Sequence, residues 1–214
     1  MQVKTWLQRL TDESNLWFNA VKAEDENNLD SAASFYIKDA LECIKQHSLV
    51  RAALSCSCAA NCLARMGALS PARQLYLGAA DIYVENSNIA ISESIREALW
   101  SLQEAFENYV LAGENDSAGM VRDRYVKLAA RTNPFSKAEQ AAKELESRKA
   151  AAESMMGKSA KKEASIADEL AKEIENLLQA SKSPAKPDRF DPSYVMKSIN
   201  VNGGSRLDEK SIAS

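Results

Sequence analysis

The sequence predicts an all-α fold, and three observations lead to this expectation. The 214 residues include only 7 glycines and 5 prolines. Apolar residues recur at three- and four-residue spacing, which is typical of amphipathic helices. A pattern of small residues, a turn and an aromatic residue also occurs twice, which indicates helical hairpins that stack on copies of themselves. The first copy is Ala20, Asn27, Leu29, Ala32, Tyr36 and Ala40, and forty residues later the second is Ala60, Gly67, Leu69, Ala72, Tyr76 and Ala80.

The first part of the chain, from residue 3 to about residue 48, predicts three short helices. Trp6 lies in the first apolar stripe, Trp17 in the second and Tyr36 in the third. We expect the last two helices to form a hairpin that turns at Asn27, because asparagine tolerates left-handed backbone. Asp30 is predicted to cap the helix that follows the turn.

A second hairpin is predicted from Leu49 to about Val84. Gly67 is expected to supply the left-handed end of its first helix. Ser70 is expected to cap its second helix, with Pro71 in the first turn, where no amide donor is needed.

A third and less regular unit begins near Ile95 and turns at Gly113. Its second helix is expected to end before Pro134, because the residue preceding a proline is pushed out of helical backbone space. Residues 1–134 are therefore predicted to form one helical-repeat domain.

The remainder of the chain divides into two further predicted regions. Residues 135–181 are rich in alanine, lysine and glutamate, which is typical of a charged long helix, a helix pair or a coiled coil. Residues 182–214 are expected to be a disordered tail around a short apolar segment. Residues 135–181 contain one apolar stripe, which is too short for the sustained heptad repeat of a coiled coil. We therefore expect this stripe to pack against another surface. Its residues are Ile166, Leu170, Ile174, Leu177 and Leu178.

Charge and hydropathy argue against several classes of protein. A net charge of −3 disfavours general nucleic-acid binding, which needs a basic face that displaces counterions. The amino-terminal residues lack the apolar core of a signal peptide, and no stretch approaches the roughly 20 apolar residues that cross a bilayer. We therefore expect a cytoplasmic protein without a transmembrane segment. Peripheral membrane association and the oligomeric state stay open.

The spacing of the cysteines suits a zinc site, but helix geometry argues against it. Cys43 and His47 are four residues apart, as are Cys58 and Cys62, which would suit a zinc site on two consecutive helices. If the chain turns near residue 49, however, Cys62 lies roughly 9 Å too far along its helix at 1.5 Å per residue. Buried, reduced thiols are the better expectation, with no metal and no cofactor.

Catalytic patterns are equally weak. His47 is the only histidine, so histidine-based triads and metal clusters have no alternative residue to draw on. Phosphate-loop and dinucleotide fingerprints are absent, and the many carboxylates are typical of solvated helix faces. We expect no catalytic residues and a protein that is not an enzyme.

The second copy of the repeat resembles the tetratricopeptide repeat. Ala60, Gly67, Ala72, Tyr76 and Ala79 follow that family's order of small, glycine, alanine, aromatic and alanine positions. The first copy fits the same frame, although Asp39 stands at the last alanine position. The resemblance implies a right-handed stack of antiparallel helical hairpins, here with an extended C-terminal helix and a flexible tail.

The forty-residue period exceeds the usual tetratricopeptide spacing of about 34. In this respect the chain is similar to the soluble NSF attachment proteins, whose hairpins carry phrases like residues 72–83. Membership would imply peptide or helix binding in a concave groove. Some tetratricopeptide proteins bind a terminal carboxylate with a clamp of lysines and asparagines, and this chain does not match that clamp. Trp17 and Ser57 occupy positions where the clamp has a lysine, and Glu104 occupies one where it has a cation.

These observations favour an adaptor or scaffold that binds a peptide or helix of another protein in a concave helical groove. The alternative is a structural subunit of a membrane-remodelling or vesicle-trafficking assembly, which would pair through its C-terminal helix and tail. The candidate partner-binding residues are Trp17, Asn61, Trp100, Phe190 and Tyr194.

Overall fold

The computed structural model describes residues 15–132, 138–159 and 166–182. Within these ranges the secondary structure is entirely helical, and the prediction of an all-α fold is confirmed. The predicted helix around Trp6 lies outside the described residues. The helices are α1 (Leu16–Asp25), α2 (Leu29–Lys45), α3 (Leu49–Met66), α4 (Leu69–Ala90), α5 (Ile95–Ala112), α6 (Asn115–Thr132), α7 (Ala138–Ser159) and α8 (Asp168–Lys182).

Each of the first six helices packs chiefly on its neighbours in the chain. The two C-terminal helices lie against earlier ones: α7 packs on α5 and α6, and α8 packs on α2 and α4. The sequence left open whether the C-terminal helical region packs on the repeats or projects from them. In the described ranges both of its helices pack.

Four of the turns between helices close in the same way. Each has one residue with positive φ just after the helix: Asn27 and His47 at 56°, Gly67 at 86° and Gly113 at 88°. In each, the amide of the next residue donates to the carbonyl five positions back, which is the closing bond of a Schellman motif. These bonds are Asn28 N to Ala23 O (2.8 Å) and Ser48 N to Cys43 O, Ala68 N to Leu63 O and Glu114 N to Tyr109 O (2.9 Å each).

Two predicted helix caps are wrong. Asn28, not Asp30, caps α2, since its Oδ1 accepts from the Ser31 amide at 3.3 Å while Asp30 already lies in the first turn. Likewise Ser70 lies inside α4, which begins at Leu69 without a side-chain cap. Both errors have one cause: the Schellman closure is so short that the next helix starts two residues after the left-handed residue.

α4 is longer than predicted, ending at Ala90 rather than near Val84. Nothing between these positions interrupts the helix, and the break comes where Ser94 caps α5 by accepting from the Glu97 amide at 3.3 Å. The predicted turns at Gly67 and Gly113 are confirmed by their left-handed backbone.

Small residues dominate the core, which allows helix axes to approach closely. α8 packs tightly against α4 at Gly78, where an added Cβ would lie 3.3 Å from Leu178 Cδ2 and 3.6 Å from Ser181 Oγ. The predicted apolar stripe lies on α8 and packs against other helices of the same chain. Its residues Leu170, Ile174 and Leu177 are buried, with Ile166 and Leu178 partly buried against the core.

Candidate functional site

Polar contacts join α1, α3, α5 and α7 along one side of the helices. Arg65 of α3 pairs with Glu24 of α1, and Ser57 Oγ donates to Asn108 Oδ1 of α5 at 2.8 Å. Further along, Arg148 of α7 binds carboxylates of α5. Since these contacts link alternate helices, they lie on one surface, the odd-helix face.

Trp17 lies on α1 and is partly buried. Its ring meets that of Tyr36 edge-on, with centroids 5.1 Å apart and planes at 71°. The guanidinium of Arg51 lies 5.7 Å from the centroid of the Trp17 ring, within cation–π range. The indole is therefore fixed between α2 and α3.

Asn61 lies on α3 and is partly exposed. Its Oδ1 accepts a hydrogen bond from the Tyr76 hydroxyl at 2.5 Å. One residue of the first hairpin has a similar arrangement, because Glu24 Oε2 accepts from the Tyr36 hydroxyl at 3.1 Å.

Trp100 lies on α5 and is 38% exposed, although its ring packs edge-on against Tyr83 with centroids 5.5 Å apart. Leu54 of α3 is 40% exposed. The two are forty-six residues apart, the separation of the turn glycines Gly67 and Gly113, and so occupy equivalent repeat positions.

Each of the three predicted binding residues on the repeats thus contacts a tyrosine of an adjacent helix, which is the following helix for Trp17 and Asn61 and the preceding helix for Trp100. No hydrogen bond or ring contact within the described ranges joins Trp17, Asn61 and Trp100 to one another. The structure places them on three successive helices of the odd-helix face. Phe190 and Tyr194 lie outside the described residues, so their assignment stays a prediction.

Sequence reasoning missed the role of Arg148. Its Nη1 lies 3.2 Å from Glu104 Oε1 and 3.1 Å from Glu107 Oε2, so the carboxylate expected to oppose a clamp ligand already has a cation. In the sequence Arg148 belongs to a run of alternating charges that predicts pairs within one helix, as Lys149 and Glu153 do form at 3.9 Å. No local signal distinguishes the arginine that reaches across.

The direction of α7 follows from two of its contacts. Gln103 Nε2 of α5 donates to Glu144 Oε1 of α7 at 2.8 Å. Four residues further along each helix, Glu107 of α5 binds Arg148 of α7. Because both partners advance by the same step, α5 and α7 run in the same direction.

A second cluster missed by the sequence surrounds Asp39, which is 5% exposed. The Asp39 carboxylate pairs with Arg51, accepts from Ser55 Oγ at 2.6 Å and lies 3.7 Å from Cys43 Sγ. Asp39 therefore replaces the alanine of the repeat pattern by a carboxylate that Arg51 and Ser55 bind. The cluster contains no histidine and joins two hairpins, which is a structural role.

All four cysteines are free thiols. Burial raises the pKa of Cys56 and of Cys62 to about 12, and burial together with the negative charge of Asp39 raises the pKa of Cys43 to about 11. Thiols with raised pKa values are protonated and unreactive at neutral pH. Across the described ranges no three metal-ligating side chains cluster in a way that could hold an ion.

No protein-family model matches this chain, and no curated protein or solved structure matches it either. The helices that are described include none with the length and apolar content needed to cross a membrane.

Proposed function

We propose that this chain is a non-enzymatic adaptor or scaffold, which binds a helix or peptide of another protein on the odd-helix face. We further propose that its hairpins form a right-handed antiparallel stack of the tetratricopeptide kind. The duplicated small-residue pattern and the four matching turn closures support this architecture.

The exposure of Leu54 and Trp100 is the observation that carries the proposal. Both are large apolar side chains at equivalent positions of α3 and α5, and each leaves about two fifths of its surface to solvent. Polar groups on the same face are satisfied internally, as the pairs Glu24–Arg65 and Ser57–Asn108 illustrate. An apolar surface between satisfied polar groups favours burial by a partner over catalysis.

α7 supplies an internal example of how a helix packs beside α5. It buries a stripe of small and apolar residues, Ala141, Leu145 and Ala152, and adds Arg148 for the carboxylates of α5. We propose that the partner segment is helical too and packs beside the exposed part of α3 and α5 with an apolar stripe of its own.

The alternative assembly hypothesis would use the apolar stripe of α8. That stripe is buried against α2 and α4, so a subunit pairing through it would first have to detach α8. The odd-helix face needs no such rearrangement, and we therefore place the partner there.

Affinity capture of the full chain from its source cells, followed by quantitative mass spectrometry, tests the proposal. The double variant Leu54→Asp, Trp100→Asp is expected to lose partners that the native chain retains. Ile89→Asp is the matched control, because Ile89 is 39% exposed and lies on α4. An unchanged set of partners in the double variant, with its helical circular dichroism intact, would contradict the proposal.

A further inference from the structure

A concave surface lies beside α6, apart from the odd-helix face. Its cavity of about 430 Å³ is lined by residues of one face of α6 and by Ile91 at the end of α4. This surface, the α6 groove, combines apolar and basic side chains. The apolar ones are Ile91, Met120 and Leu128, and the basic ones are Arg124, Lys127 and Arg131.

The cations of the α6 groove have no partner among the described residues. Arg124, Lys127 and Arg131 each lack a carboxylate within ion-pair distance in the ranges that are described. Asp123, the acidic residue on the groove lining, pairs instead with Arg122 at 3.4 Å. In a chain of net charge −3, three cations on one helix face that no described carboxylate neutralises form a local excess of positive charge.

The apolar part of the groove is unusually open. Met120 is 70% exposed and Ile91 is 39% exposed. Large apolar side chains at a concave surface favour the insertion of a partner's side chains, and the cavity has room for more than one.

No described helix covers the groove. α6 packs on α5 and α7, with Tyr125 accepting from Gln103 Nε2 at 2.7 Å and Arg122 lying 3.4 Å from Glu146. α8 packs on α2 and α4. Among residues 15–132, 138–159 and 166–182, none therefore covers the face of Met120 and Lys127 between α6 and the end of α4.

We propose that the α6 groove binds an acidic amphipathic helix of a partner protein. Apolar side chains of that helix enter the cavity beside Met120 and Ile91, and its carboxylates pair with Arg124, Lys127 and Arg131. The charge excess selects the acidic partner, and the concave apolar floor selects a peptide. An anionic membrane would meet a recess rather than a protruding apolar surface, with Asp123 facing its headgroups.

Binding of defined peptides to the full chain tests the proposal by fluorescence anisotropy. The probe is a labelled helical peptide with leucines on one face and glutamates on its flanks, and the matched peptide carries lysines instead of the glutamates. We expect the acidic peptide to bind at least about tenfold more tightly than the basic one, and its binding to weaken as salt is added.

Two triple variants locate the binding. Arg124→Glu, Lys127→Glu, Arg131→Glu is expected to abolish binding of the acidic peptide. Lys22→Glu, Lys45→Glu, Arg73→Glu changes the net charge equally at exposed positions elsewhere and is expected to retain it. Equal losses in both variants, or none in the first, would overturn the proposal, as would equal affinity for the two peptides.

The occupant is identified by a photo-cross-linker, benzoylphenylalanine, at position 120 of the full chain. Cross-linking to the added acidic peptide supports the proposal. Cross-links confined to residues of this chain, in the same or a second copy, would assign the groove to the chain itself and overturn it. Tighter binding to phosphatidylserine vesicles than to the peptide, lost in the groove variant, would replace the partner helix by a membrane.

Discussion

Asp39 of α2 and Arg51 of α3 form a two-point ion pair, with Arg51 Nη2 to Asp39 Oδ1 at 2.8 Å and Nε to Oδ2 at 3.2 Å. The pair bridges the first and second hairpins. Arg51 also lies over the Trp17 ring, so the same guanidinium ties α1 to the contact. A buried carboxylate at an alanine position thereby sets how consecutive hairpins meet.

Removal of this carboxylate is expected to be costly. Asp39→Ala leaves Arg51 and the Ser55 hydroxyl without their acceptor, which should lower the free energy of unfolding by about 2–3 kcal/mol. Urea denaturation monitored by circular dichroism measures the change. Asp123→Ala, at an exposed site, should stay within about 0.5 kcal/mol of the native chain. Equal stability of the two variants would show that the pair contributes nothing to hairpin docking.

The turns allow a paired test of backbone strain. Gly113→Ala places a side chain at a φ of 88° with nothing within 4 Å of its Cβ, so the expected loss of about 1–2 kcal/mol is purely conformational. His47→Gly acts in reverse and should stabilise by up to about 1 kcal/mol, because the greater freedom of glycine in the unfolded chain offsets part of the relief. Thermal and urea unfolding measure both. A stabilised Gly113→Ala variant would refute the strain argument.

The packing of α8 against α4 can be tested at Gly78. Gly78→Leu adds a side chain where even a Cβ would lie 3.3 Å from Leu178, so we expect α8 to loosen from α4. Hydrogen exchange read out by mass spectrometry should show lower protection in residues 168–182. Gly119→Leu, at a helical glycine with nothing within 4 Å of its Cβ, is the control and should leave α8 protected. Unchanged exchange in Gly78→Leu would mean that α8 is not held at this contact.

Alkaline pH should destabilise the protein through its buried thiols. Burial raises the pKa of Cys56 and Cys62 to about 12, from 9.0 in an exposed thiol. Above pH 9 the unfolded chain therefore holds fewer protons than the folded one, and the free energy of unfolding falls as pH rises toward 12. Each such thiol contributes a slope of up to about 1.4 kcal/mol per pH unit.

Urea denaturation between pH 8 and pH 10 measures that slope, and Cys56→Ala, Cys62→Ala should flatten it. The comparison concerns the slope alone, since the substitution also changes core packing. An identical pH dependence in the double variant would assign the effect to other groups, such as the tyrosines whose pKa burial raises, among them Tyr83.

The parts of the fold that the sequence predicted are those with local causes. Helical periodicity located α5, and Asn27, Gly67 and Gly113 located three turns, because glycine adopts left-handed backbone without strain and asparagine tolerates it. His47 takes the same conformation, yet a lone histidine carries no such signal. The turn between α2 and α3 is therefore expected only as the boundary between the first unit, which ends near residue 48, and the second hairpin, which begins at Leu49.

In the candidate site, too, residues with a local signal were predicted and contacts between distant residues were not. Trp17 and Trp100 stand out as rare, large residues on predicted helices. Arg148 and its partner Glu104 are forty-four residues apart, and each belongs to a charge-rich helix where many pairings are plausible. Their contact depends on the direction and register of α7 against α5, which only the assembled fold supplies.

The matching turn closures have a kinetic consequence. Each fixes the direction of the next helix through contacts a few residues apart, so most of the chain has low contact order and should fold rapidly. The docking of α8 is different, since the ion pair between Lys38 and Glu173 spans more than a hundred residues. α8 is thus expected to join last in folding and to leave first when the chain is pulled from its C-terminal end.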